Sequence, residues 1–456
     1  MNRSFQTEPW IPLRRFLLPG LSLLTGRDRF AIYRKIRTNE WLSSDEIKAL
    51  QLERLQKVLT SAKNNVPYYR EKLGHTDLST PDKAFEAFQL LPVITKSFIQ
   101  QNHEKVVSDF PYKKPPRISY TGGSTGELLK IVNDWSVYEE MEACTMRALS
   151  WGGWEIGDPV AMFWGGLRDL PSKKSLKARV KEKINGRYIL GTYRYDDEIM
   201  SQWIRFLLDN KIQFIYGYAS ILASLARFVK RRGIPAPRIK AAYSTAETLF
   251  PQFRLDIEEA FQCKVYDQYG SREVISVASE CERGGMHIIA DMAYLEFVSE
   301  GNSSEISRLV ITSFANPALP FIRYDIGDYG SPKNESCQCG RGFPLMEMRI
   351  GRRNDHILLS NGKIIYPSYF IHLLDGIKGI QSFQFRQIDQ GTMTLKIQKG
   401  LDWAPDNEYL VGNLETKIYE DLVSRINLNI QYVDEILIPA SGKHRYVMSD
   451  LIKSQS

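Results

Sequence analysis

Residues 214–243 read FIYGYASILASLARFVKRRGIPAPRIKAAY, and their pattern decides the fold class. A short aromatic and β-branched run, Phe214-Ile215-Tyr216-Gly217, precedes an amphipathic stretch from Ile221 to Val229 and a second short run, Ala241-Ala242-Tyr243. Short strand-like runs that alternate with longer helical ones predict α/β layers. The same alternation holds across residues 117–321, so we expect an α/β fold for this part of the chain.

The length and the local patterns predict two domains. A chain of 456 residues exceeds one ordinary core. We expect a large multi-layer N-terminal domain over residues 1–350, entered through a helical region at 1–110 in which Ser43-Ser44-Asp45-Glu46 opens a helix. A polar stretch at 351–355 predicts a hinge. Alternating runs joined through Asp389-Gln390-Gly391 indicate a small α+β domain over 356–456.

The charge and the cysteines favour a cytoplasmic protein that does not bind nucleic acid. The 60 basic residues lie among 53 acidic ones, giving a net charge of +7 without a basic block. Five cysteines form no regular disulfide framework, which fits a reducing compartment.

The N-terminal stretch Phe16-Leu17-Leu18-Pro19-Gly20-Leu21-Ser22-Leu23-Leu24 leaves two interpretations open. It is shorter than the roughly 20 residues that span a bilayer, and no cleavage pattern of a signal peptide follows it. Basic residues flank it: Arg14, Arg15, Arg27 and Arg29. The stretch is either a packing helix or a peripheral segment that contacts the inner face of a membrane.

The clearest chemical motif is Ser119-Tyr120-Thr121-Gly122-Gly123-Ser124-Thr125-Gly126. Glycines let backbone N–H groups approach phosphate oxygens closely, and the hydroxyl groups add further donors. The Gly-Lys-Ser/Thr ending of a Walker loop is absent. Taken alone, the segment predicts either a phosphate-binding loop or an ordinary turn.

Three later segments add nucleotide chemistry in a fixed order. Asp267-Gln268-Tyr269-Gly270-Ser271-Arg272-Glu273 combines an aromatic ring that can stack on adenine with carboxylates that can hold Mg²⁺. Arg323-Tyr324-Asp325-Ile326-Gly327-Asp328 offers a carboxylate for ribose hydroxyls, and Gly351-Arg352 offers a guanidinium for phosphate or ribose oxygens. A surface turn would explain any one of them, but not their order.

With these motifs in this order, the sequence resembles the adenylate-forming superfamily, and within it the phenylacetate-CoA ligase family with its relatives from capsule and surface-polysaccharide pathways. The resemblance runs from Tyr120 to Lys443. It implies an adenylate-forming large domain whose phosphate loop comprises Thr121, Gly122, Gly123, Ser124, Thr125 and Gly126. It implies an adenine-side turn at Ser244-Thr245-Ala246-Glu247 and an aromatic-glycine-acid motif at Tyr269-Gly270-Ser271-Arg272-Glu273.

The resemblance also implies individual roles. Asp267 would bind the adenine amino group, Tyr269 would stack on the ring, and Glu273 would hold Mg²⁺. Asp328 would hold the ribose, and Arg352 would bind nearby on the nucleotide. Lys443, in Pro439-Ala440-Ser441-Gly442-Lys443-His444-Arg445, corresponds to the catalytic lysine that stabilises charge as pyrophosphate leaves.

The sequence departs from the family pattern at three places. Asn354 stands at the pivot, where relatives have aspartate or lysine, and this puts the electrostatics of the rotated domain in doubt. Arg272 replaces a small or hydroxyl residue. Glu127-Leu128-Leu129-Lys130 follows the loop where Gly-Lys-Pro is common in relatives. Two alternatives stay open: Lys130 replaces the lysine of that motif, or the chain has no equivalent of it.

Cys281, His287, Cys337 and Cys339 suggest a metal site. Three thiolates and an imidazole would complete a tetrahedral, structural Zn²⁺ site if their two segments meet in space. The alternative is free buried cysteines beside a satisfied histidine. Cys144 and Cys263 are expected to be core residues.

An acyl pocket is expected near Trp164-Gly165-Gly166 and Tyr216-Gly217-Tyr218-Ala219-Ser220, with Trp164, Tyr216 and Gly217 as substrate-binding candidates. An ordinary aromatic core explains these segments equally well.

The resemblance therefore implies an enzyme that uses ATP and Mg²⁺ to convert a small carboxylic acid to an acyl adenylate and passes the acyl group to CoA. Two alternatives stay open: amide or ester transfer to a sugar or amino acceptor, and a non-catalytic scaffold in polysaccharide assembly. The acid, the acceptor and the oligomeric state are not fixed by the sequence.

Overall fold

The computed structural model describes residues 8–110, 114–121, 129–164, 176–192, 195–299, 307–352, 357–360, 364–365, 369–370, 373–374, 377, 379–400, 403–422, 424–436 and 445–451. The chain divides into two compact units. The first comprises Met1–Ile326 with Gly330–Glu347, and the second comprises Gly327–Tyr329 with Met348–Ser456.

The described helices are α1 (Ile11–Leu24), α2 (Arg29–Asn39), α3 (Ser44–Asn65), α4 (Pro67–Leu73), α5 (Pro81–Leu90), α6 (Lys96–Gln101), α7 (His103–Val106), α8 (Trp135–Trp151), α9 (Leu176–Asn185), α10 (Asp197–Asp209), α11 (Ala219–Arg232), α12 (Pro251–Phe261), α13 (Asp406–Gly412) and α14 (Leu414–Leu422).

The described strands are β1 (Arg117–Tyr120), β2 (Lys130–Asn133), β3 (Val160–Trp164), β4 (Arg187–Gly191), β5 (Phe214–Tyr218), β6 (Ala241–Thr245), β7 (Lys264–Tyr269), β8 (Ala278–Glu280), β9 (Met286–Ile288), β10 (Ala293–Ser299), β11 (Ser307–Ser313), β12 (Tyr324–Lys333), β13 (Leu345–Arg352), β14 (Ile357–Leu358), β15 (Ile364–Ile365), β16 (Ile380–Asp389), β17 (Thr392–Lys399), β18 (Asn427–Val433) and β19 (Val447–Ser449).

Helix α3 begins where the sequence predicts a helix start. The Ser43 hydroxyl accepts from the Glu46 N–H at 3.3 Å, and the Glu46 carboxylate accepts from the Ser43 N–H at 2.8 Å. This reciprocal pair satisfies two N–H groups that the first helical turn leaves free. The inward residues Leu55 and Leu59 are fully buried in the core of the first unit.

An eleven-stranded sheet forms the body of the first unit, in the order β10-β11-β12-β13-β9-β8-β7-β6-β5-β3-β4. Strands β4, β3, β5, β6 and β7 are parallel neighbours, and α10, α11 and α12 form the last three crossover connections between them. The β7–β8, β8–β9 and β9–β13 pairs are antiparallel.

The parallel part of this sheet determines where a ligand can bind. Strand β3 lies between β4 and β5. The chain passes from β3 to β4 on one side and then to β5 on the other, so the strand order reverses at β3. In open α/β sheets, ligands bind beyond the carboxyl ends of the strands near such a reversal. The carboxyl ends here are Trp164 of β3, Tyr218 of β5, Thr245 of β6 and Tyr269 of β7.

The second unit contains a four-stranded sheet in the order β18-β17-β16-β19. Strands β16 and β17 form the predicted hairpin, whose turn is closed by the Gly391 N–H donating to the Asp389 carboxylate at 2.8 Å. Phe385, Leu395 and Ile397 are fully buried. Helices α13 and α14 connect β17 to the parallel strand β18.

The predicted fold class is confirmed: an α/β body is followed by a smaller α+β unit. The hinge at 351–355 and the domain limits around it stay predictions, and Asn354 lies outside the described residues. Among the described helices, none combines the length and the apolar character needed to cross a membrane.

Candidate functional site

Two predicted segments lie side by side at the carboxyl ends of β6 and β7. Ser244 pairs in register with Asp267, and Thr245 pairs with Gln268. The strand pairing therefore joins the adenine-side turn to the aromatic-glycine-acid motif, although more than twenty residues separate them in the sequence. We call residues 244–247 and 267–273 the β6–β7 edge.

Chain reversal after β6 takes place at Ala246, which has a φ of 67°. A side chain in this left-handed region is uncommon and marks a tight local constraint. The following Glu247 carboxylate accepts the Ser220 N–H at 3.0 Å, and this bond connects the turn to the first turn of α11. Glu247 thus has a structural contact in addition to its predicted role.

Asp267 is held in an environment that disfavours its charged form. Burial, followed by the nearby Glu280 carboxylate, raises the pKa of Asp267 to about 7, while Arg254 acts in the opposite direction. Glu280 accepts from the Asp267 N–H at 2.9 Å and from the Arg254 guanidinium at 2.7 Å. No local sequence pattern marks Glu280 and Arg254, because the sheet and α12 bring them together from distant parts of the chain.

Gln268 is a second residue that the sequence analysis did not find. Its side-chain nitrogen is buried and, among the described residues, has no hydrogen-bond partner. A buried amide donor is costly unless something accepts from it. Because successive side chains of a strand point to opposite faces, Gln268 lies on the other face of β7 from Asp267 and Tyr269.

The turn after Tyr269 has a fixed shape. A Cβ at Gly270 would lie 2.5 Å from the Ile275 carbonyl oxygen, so only glycine fits there. The Ser271 hydroxyl accepts from the Glu273 N–H at 3.1 Å and from the Val274 N–H at 3.0 Å. These contacts determine how the backbone presents Glu273, whose carboxylate lies 3.5 Å from the Tyr324 hydroxyl.

Arg272 connects this turn to the start of the predicted phosphate loop. Its guanidinium donates to the Tyr120 carbonyl oxygen at 2.6 Å. The next residue, Thr121, donates its N–H to the Leu129 carbonyl at 3.0 Å, and its hydroxyl accepts the Leu129 N–H at 3.1 Å. Both ends of the loop are therefore held together, and Lys130 follows directly on β2.

Two predicted site residues lie on strands β12 and β13, and others lie outside the described residues. Asp328 lies on β12, and Arg352 is the last residue of β13. Gly122, Gly123, Ser124, Thr125, Gly126, Gly165, Gly166 and Lys443 lie outside the described residues.

An aromatic cluster occupies the carboxyl ends of β3 and β5, where the acyl pocket is expected. The Trp164 ring lies 6.1 Å from the Tyr216 ring in a stacked geometry and 5.0 Å from the Tyr218 ring. Burial raises the pKa of Tyr216, so its hydroxyl stays protonated. A Cβ at Gly217 would lie 2.7 Å from the Phe163 Cβ, which gives Gly217 a packing role of its own.

A small cavity lies behind the turn that carries Glu273, lined by Glu140, Met141, Val274, Ile275 and Ser276 among others. One Glu140 carboxylate oxygen is buried without a described partner, and burial raises the pKa of Glu140 to about 7. No sequence motif marks this residue, because α8 reads as an ordinary amphipathic helix.

The four predicted metal ligands converge. One ligand atom from each of Cys281, His287, Cys337 and Cys339 lies within 4.8 Å of the others. The Cys281 and Cys337 sulfurs are 3.5 Å apart, and the Cys339 sulfur is 3.2 Å from the His287 Nε2. Neighbouring thiolates around a tetrahedral zinc are separated by about 3.8 Å, given Zn–S bonds of about 2.3 Å, so the donor set fits this ion. We call these residues the Cys/His cluster.

The surroundings of the Cys/His cluster suit a metal as well. The His287 Nδ1 lies 3.0 Å from the Phe343 carbonyl oxygen, and donation to that oxygen leaves Nε2 as the coordinating atom. The Arg341 N–H donates to the Cys339 sulfur at 3.5 Å. Burial opposes ionisation of the Cys339 thiol, but donors from Arg341 lower its pKa to about 7. In contrast, burial raises the pKa of both Cys144 and Cys263 to about 12.

Known proteins resemble this chain in sequence and in structure. Residues 357–450 match a family model described as the CapK C-terminal domain. Protein CapK of Staphylococcus aureus is 25% identical over 416 residues, which cover 89% of this chain and 90% of that protein. The phenylacetate-coenzyme A ligase of Thermus thermophilus is 25% identical over 350 residues, covering 72% and 75%. That of Pseudomonas putida is 24% identical over 436 residues, covering 91% and 88%.

A crystal structure of 2-hydroxyisobutyryl-CoA ligase, in the postadenylation state in complex with 2-HIB-AMP, is similar with a TM-score of 0.72. The two chains are 20% identical, and the similarity covers 90% of this chain and 91% of that one. This chain therefore has the fold of that protein.

Proposed function

We propose that this chain, a homologue of the phenylacetate-CoA ligases with the fold of the adenylate-forming ligases, activates a carboxylic acid with ATP and then transfers the acyl group to a thiol such as CoA. The observation that carries the proposal is the β6–β7 edge. Asp267 and Tyr269 share one face at the end of β7, and Arg272 in the following turn connects this end to Tyr120, which precedes residues 122–128.

In the first step a carboxylate oxygen of the acid attacks the α-phosphorus of ATP. The bond between that phosphorus and the bridging oxygen breaks, and pyrophosphate leaves. Tyr269 stacks on adenine, and Asp267 accepts from its amino group. Asp328 accepts from the ribose hydroxyls, and Arg352 contacts the nucleotide nearby.

Charge stabilisation comes from three sources. Lys443 bridges the attacking carboxylate and the α-phosphate, and N–H groups of the loop at 121–126 donate to phosphate oxygens. Mg²⁺, when bound, neutralises charge on the phosphates, and Glu273 would hold it. The orientation of Glu273 follows from the Ser271 contacts and from the Tyr324 hydroxyl at 3.5 Å.

In the second step the acceptor sulfur attacks the acyl carbon, and AMP leaves with the electrons of the acyl–phosphate bond. Rotation of the C-terminal domain about residues 351–355 would remove Lys443 before this step. Trp164, Tyr216 and Gly217 would line the acyl pocket, where the aromatic rings favour a small or planar acid.

We propose that the enzyme works in the cytoplasm, in the building of a cell-surface polysaccharide. The resemblance to Protein CapK over nearly the whole chain supports this place in metabolism. A second candidate function, in which the acyl group passes to a sugar or amino acceptor, follows from the same proposed place in polysaccharide building. A CoA requirement separates the two.

We further propose that the Cys/His cluster binds one structural Zn²⁺. Four protein ligands would close the coordination sphere, so the ion would stabilise the fold and take no part in catalysis.

The test is carboxylate-dependent release of pyrophosphate from ATP and Mg²⁺ over a panel of aryl, fatty, hydroxy and amino acids. We expect release with one class of acid and a fall on the order of 10²-fold or more in Lys443→Ala, since this cation acts on charge in the transition state. Exposed Lys48→Ala on α3 is the matched control. No release with any acid from folded protein that binds ATP would favour the scaffold alternative and overturn the proposal.

A further inference from the structure

Helix α1 exposes an apolar surface to solvent. Leu13, Phe16, Leu17, Leu21 and Leu24 follow the spacing of one helix face and are 45%, 82%, 39%, 43% and 85% exposed. A surface helix normally turns such a stripe toward the core and its polar residues toward water. Helix α1 buries Ile11 and Leu18 together with the charged Arg14, but leaves this wider apolar stripe in solvent, which requires an explanation beyond packing.

A polar contact network fixes this orientation. Arg14 lies on the inward face, only 3% exposed, and its guanidinium pairs with the Glu8 carboxylate at 2.5 and 3.0 Å. It also donates to the Lys183 carbonyl at 2.8 Å and to the Tyr188 hydroxyl at 3.2 Å. Arg14 therefore holds α1 against the body of the first unit, and the apolar stripe faces outward as a result.

A second helix extends the same surface. Val180 and Ile184, one turn apart on α9, are 50% and 46% exposed. Trp10 is 44% exposed, and the Lys183 ammonium lies 5.0 Å from the centre of its ring. A wide groove of about 1080 Å³ runs between α1, α9 and the start of α8. We call the outward residues of α1, together with Trp10, Val180 and Ile184, the docking face.

The charges around the docking face are mainly positive. Of the ionisable side chains that line the groove, Arg27, Arg29, Lys114 and Lys181 are cationic, while Asp28 and Glu139 are anionic. Lys183 adds a further exposed cation beside Trp10. The Glu139 carboxylate lies 3.9 Å from the Arg27 guanidinium, and Glu142 lies 3.6 Å from Arg29. Among the side chains that the structure describes, Lys181 and Lys183 of α9 form no ion pair.

We propose that the docking face binds the surface of an anionic phospholipid bilayer, with the α1 stripe in the interface and the α9 lysines at the headgroups. Apolar area and cations together are what peripheral helices use to bind such surfaces. With 14 residues, α1 is too short to span a bilayer, which takes about 20. A second copy fits less well, because a two-fold interface would bring the same cations together.

The proposal differs from the expectation drawn from the sequence. Each of the four flanking arginines is paired with a carboxylate: Arg14 with Glu8, Arg15 with Glu155, Arg27 with Glu139 and Arg29 with Glu142. The cations come instead from α9, which lies about 160 residues later in the chain. The proposal is also independent of adenylation, so either can fail without the other.

The test is flotation of the full chain with vesicles of equal parts phosphatidylglycerol and phosphatidylcholine, compared with phosphatidylcholine alone. We expect the wild type to float with the anionic vesicles only. The pair Phe16→Glu and Leu24→Glu should lower binding by about tenfold or more, because it removes the apolar contribution. The pair Lys181→Glu and Lys183→Glu should lower binding by about fivefold for each cation lost.

The matched control is Leu90→Glu on α5, which is 86% exposed but lies outside the docking face. It should float as the wild type does, and all variants should keep the wild-type unfolding midpoint. A wild type that does not float, or a Phe16/Leu24 double variant that floats equally well, would overturn the proposal. Self-association in sedimentation velocity that the same double variant abolishes, without lipid binding, would overturn it in favour of a second copy.

Discussion

The Cys/His cluster and the β6–β7 edge are both assembled from segments far apart in sequence, but they differ in whether their polar groups have partners. In the Cys/His cluster, four possible metal-ligand atoms lie within 4.8 Å of one another, and the His287 Nδ1 contacts the Phe343 carbonyl oxygen. At the β6–β7 edge, a buried amide lacks a described partner, and Asp267 has a raised pKa.

The difference shows which arrangement stabilises the fold and which costs stability. Converging thiolates with a bound ion lower the free energy of the folded state. The left-handed backbone at Ala246 and a buried amide without a described partner raise the free energy of the folded state. A bound ligand would offset this cost. Removing one residue from each should therefore change stability in opposite directions.

The largest effect is expected from Cys281→Ser. Loss of a zinc ligand should abolish stoichiometric zinc and lower the free energy of unfolding by about 3 kcal/mol or more, since structural zinc contributes directly to folding. Elemental analysis and thermal unfolding measure the two quantities. Cys263→Ser, which removes a thiol outside the Cys/His cluster, should keep the zinc. Purified wild-type protein that contains no zinc would contradict the proposed zinc site.

An intermediate effect is expected from Arg272→Ala. The variant loses the 2.6 Å bond to the Tyr120 carbonyl, so the turn that carries Glu273 is no longer connected to the start of the phosphate loop. A hydrogen bond from a charged donor contributes about 1.5 kcal/mol, so KM for ATP should rise roughly tenfold, with a smaller change in kcat. Initial-rate kinetics measure both. Exposed Arg34→Ala on α2 should leave both unchanged, and an equal loss in the two variants would contradict the positioning role.

The smallest effect is expected from Asp267→Asn, and it depends on pH. Burial and Glu280 raise the pKa of Asp267 to about 7 in the folded state. Below the pKa of the unfolded state, Asp267 is protonated in both states and does not lower the stability. As pH rises toward 7, the folded state retains a proton that the unfolded state releases, and the stability of the wild type falls. Above pH 7 the full cost is present.

Asp267→Asn should therefore stabilise the unliganded protein by about 1–2 kcal/mol near pH 8, and by less near pH 5. Urea denaturation at the two pH values measures the difference. Asp434→Asn, which changes an exposed carboxylate, should show no such dependence. A constant difference at both pH values would contradict the raised pKa.

Much of the fold could be predicted because its signals are local. The capping box at Ser43 and the Asp389–Gly391 turn act through neighbouring residues, so their sequence is sufficient. The strand–helix alternation around residues 214–243 predicts parallel neighbours. Parallel pairing then brings Ser244 opposite Asp267 without further information.

The remaining features depend on contacts that no local pattern encodes. Arg14 flanks an apolar stretch beside another arginine, a pattern typical of an exposed cation, yet its guanidinium is buried against Glu8 and Tyr188. Glu280 and Arg254 meet at Asp267 only through the sheet and α12. The position of Lys443 relative to these groups remains a prediction.

The close contact at Gly217 limits which positions of the proposed acyl pocket can vary. Any side chain added there would collide with the Phe163 backbone and Cβ, so the strand pair β3–β5 would have to separate first. If these residues line the acyl pocket as proposed, changes in acid size would begin at Trp164 or Tyr216, whose side chains can be shortened without moving the sheet. A mutagenesis library that spares Gly217 and samples those two positions would concentrate its diversity where the backbone tolerates it.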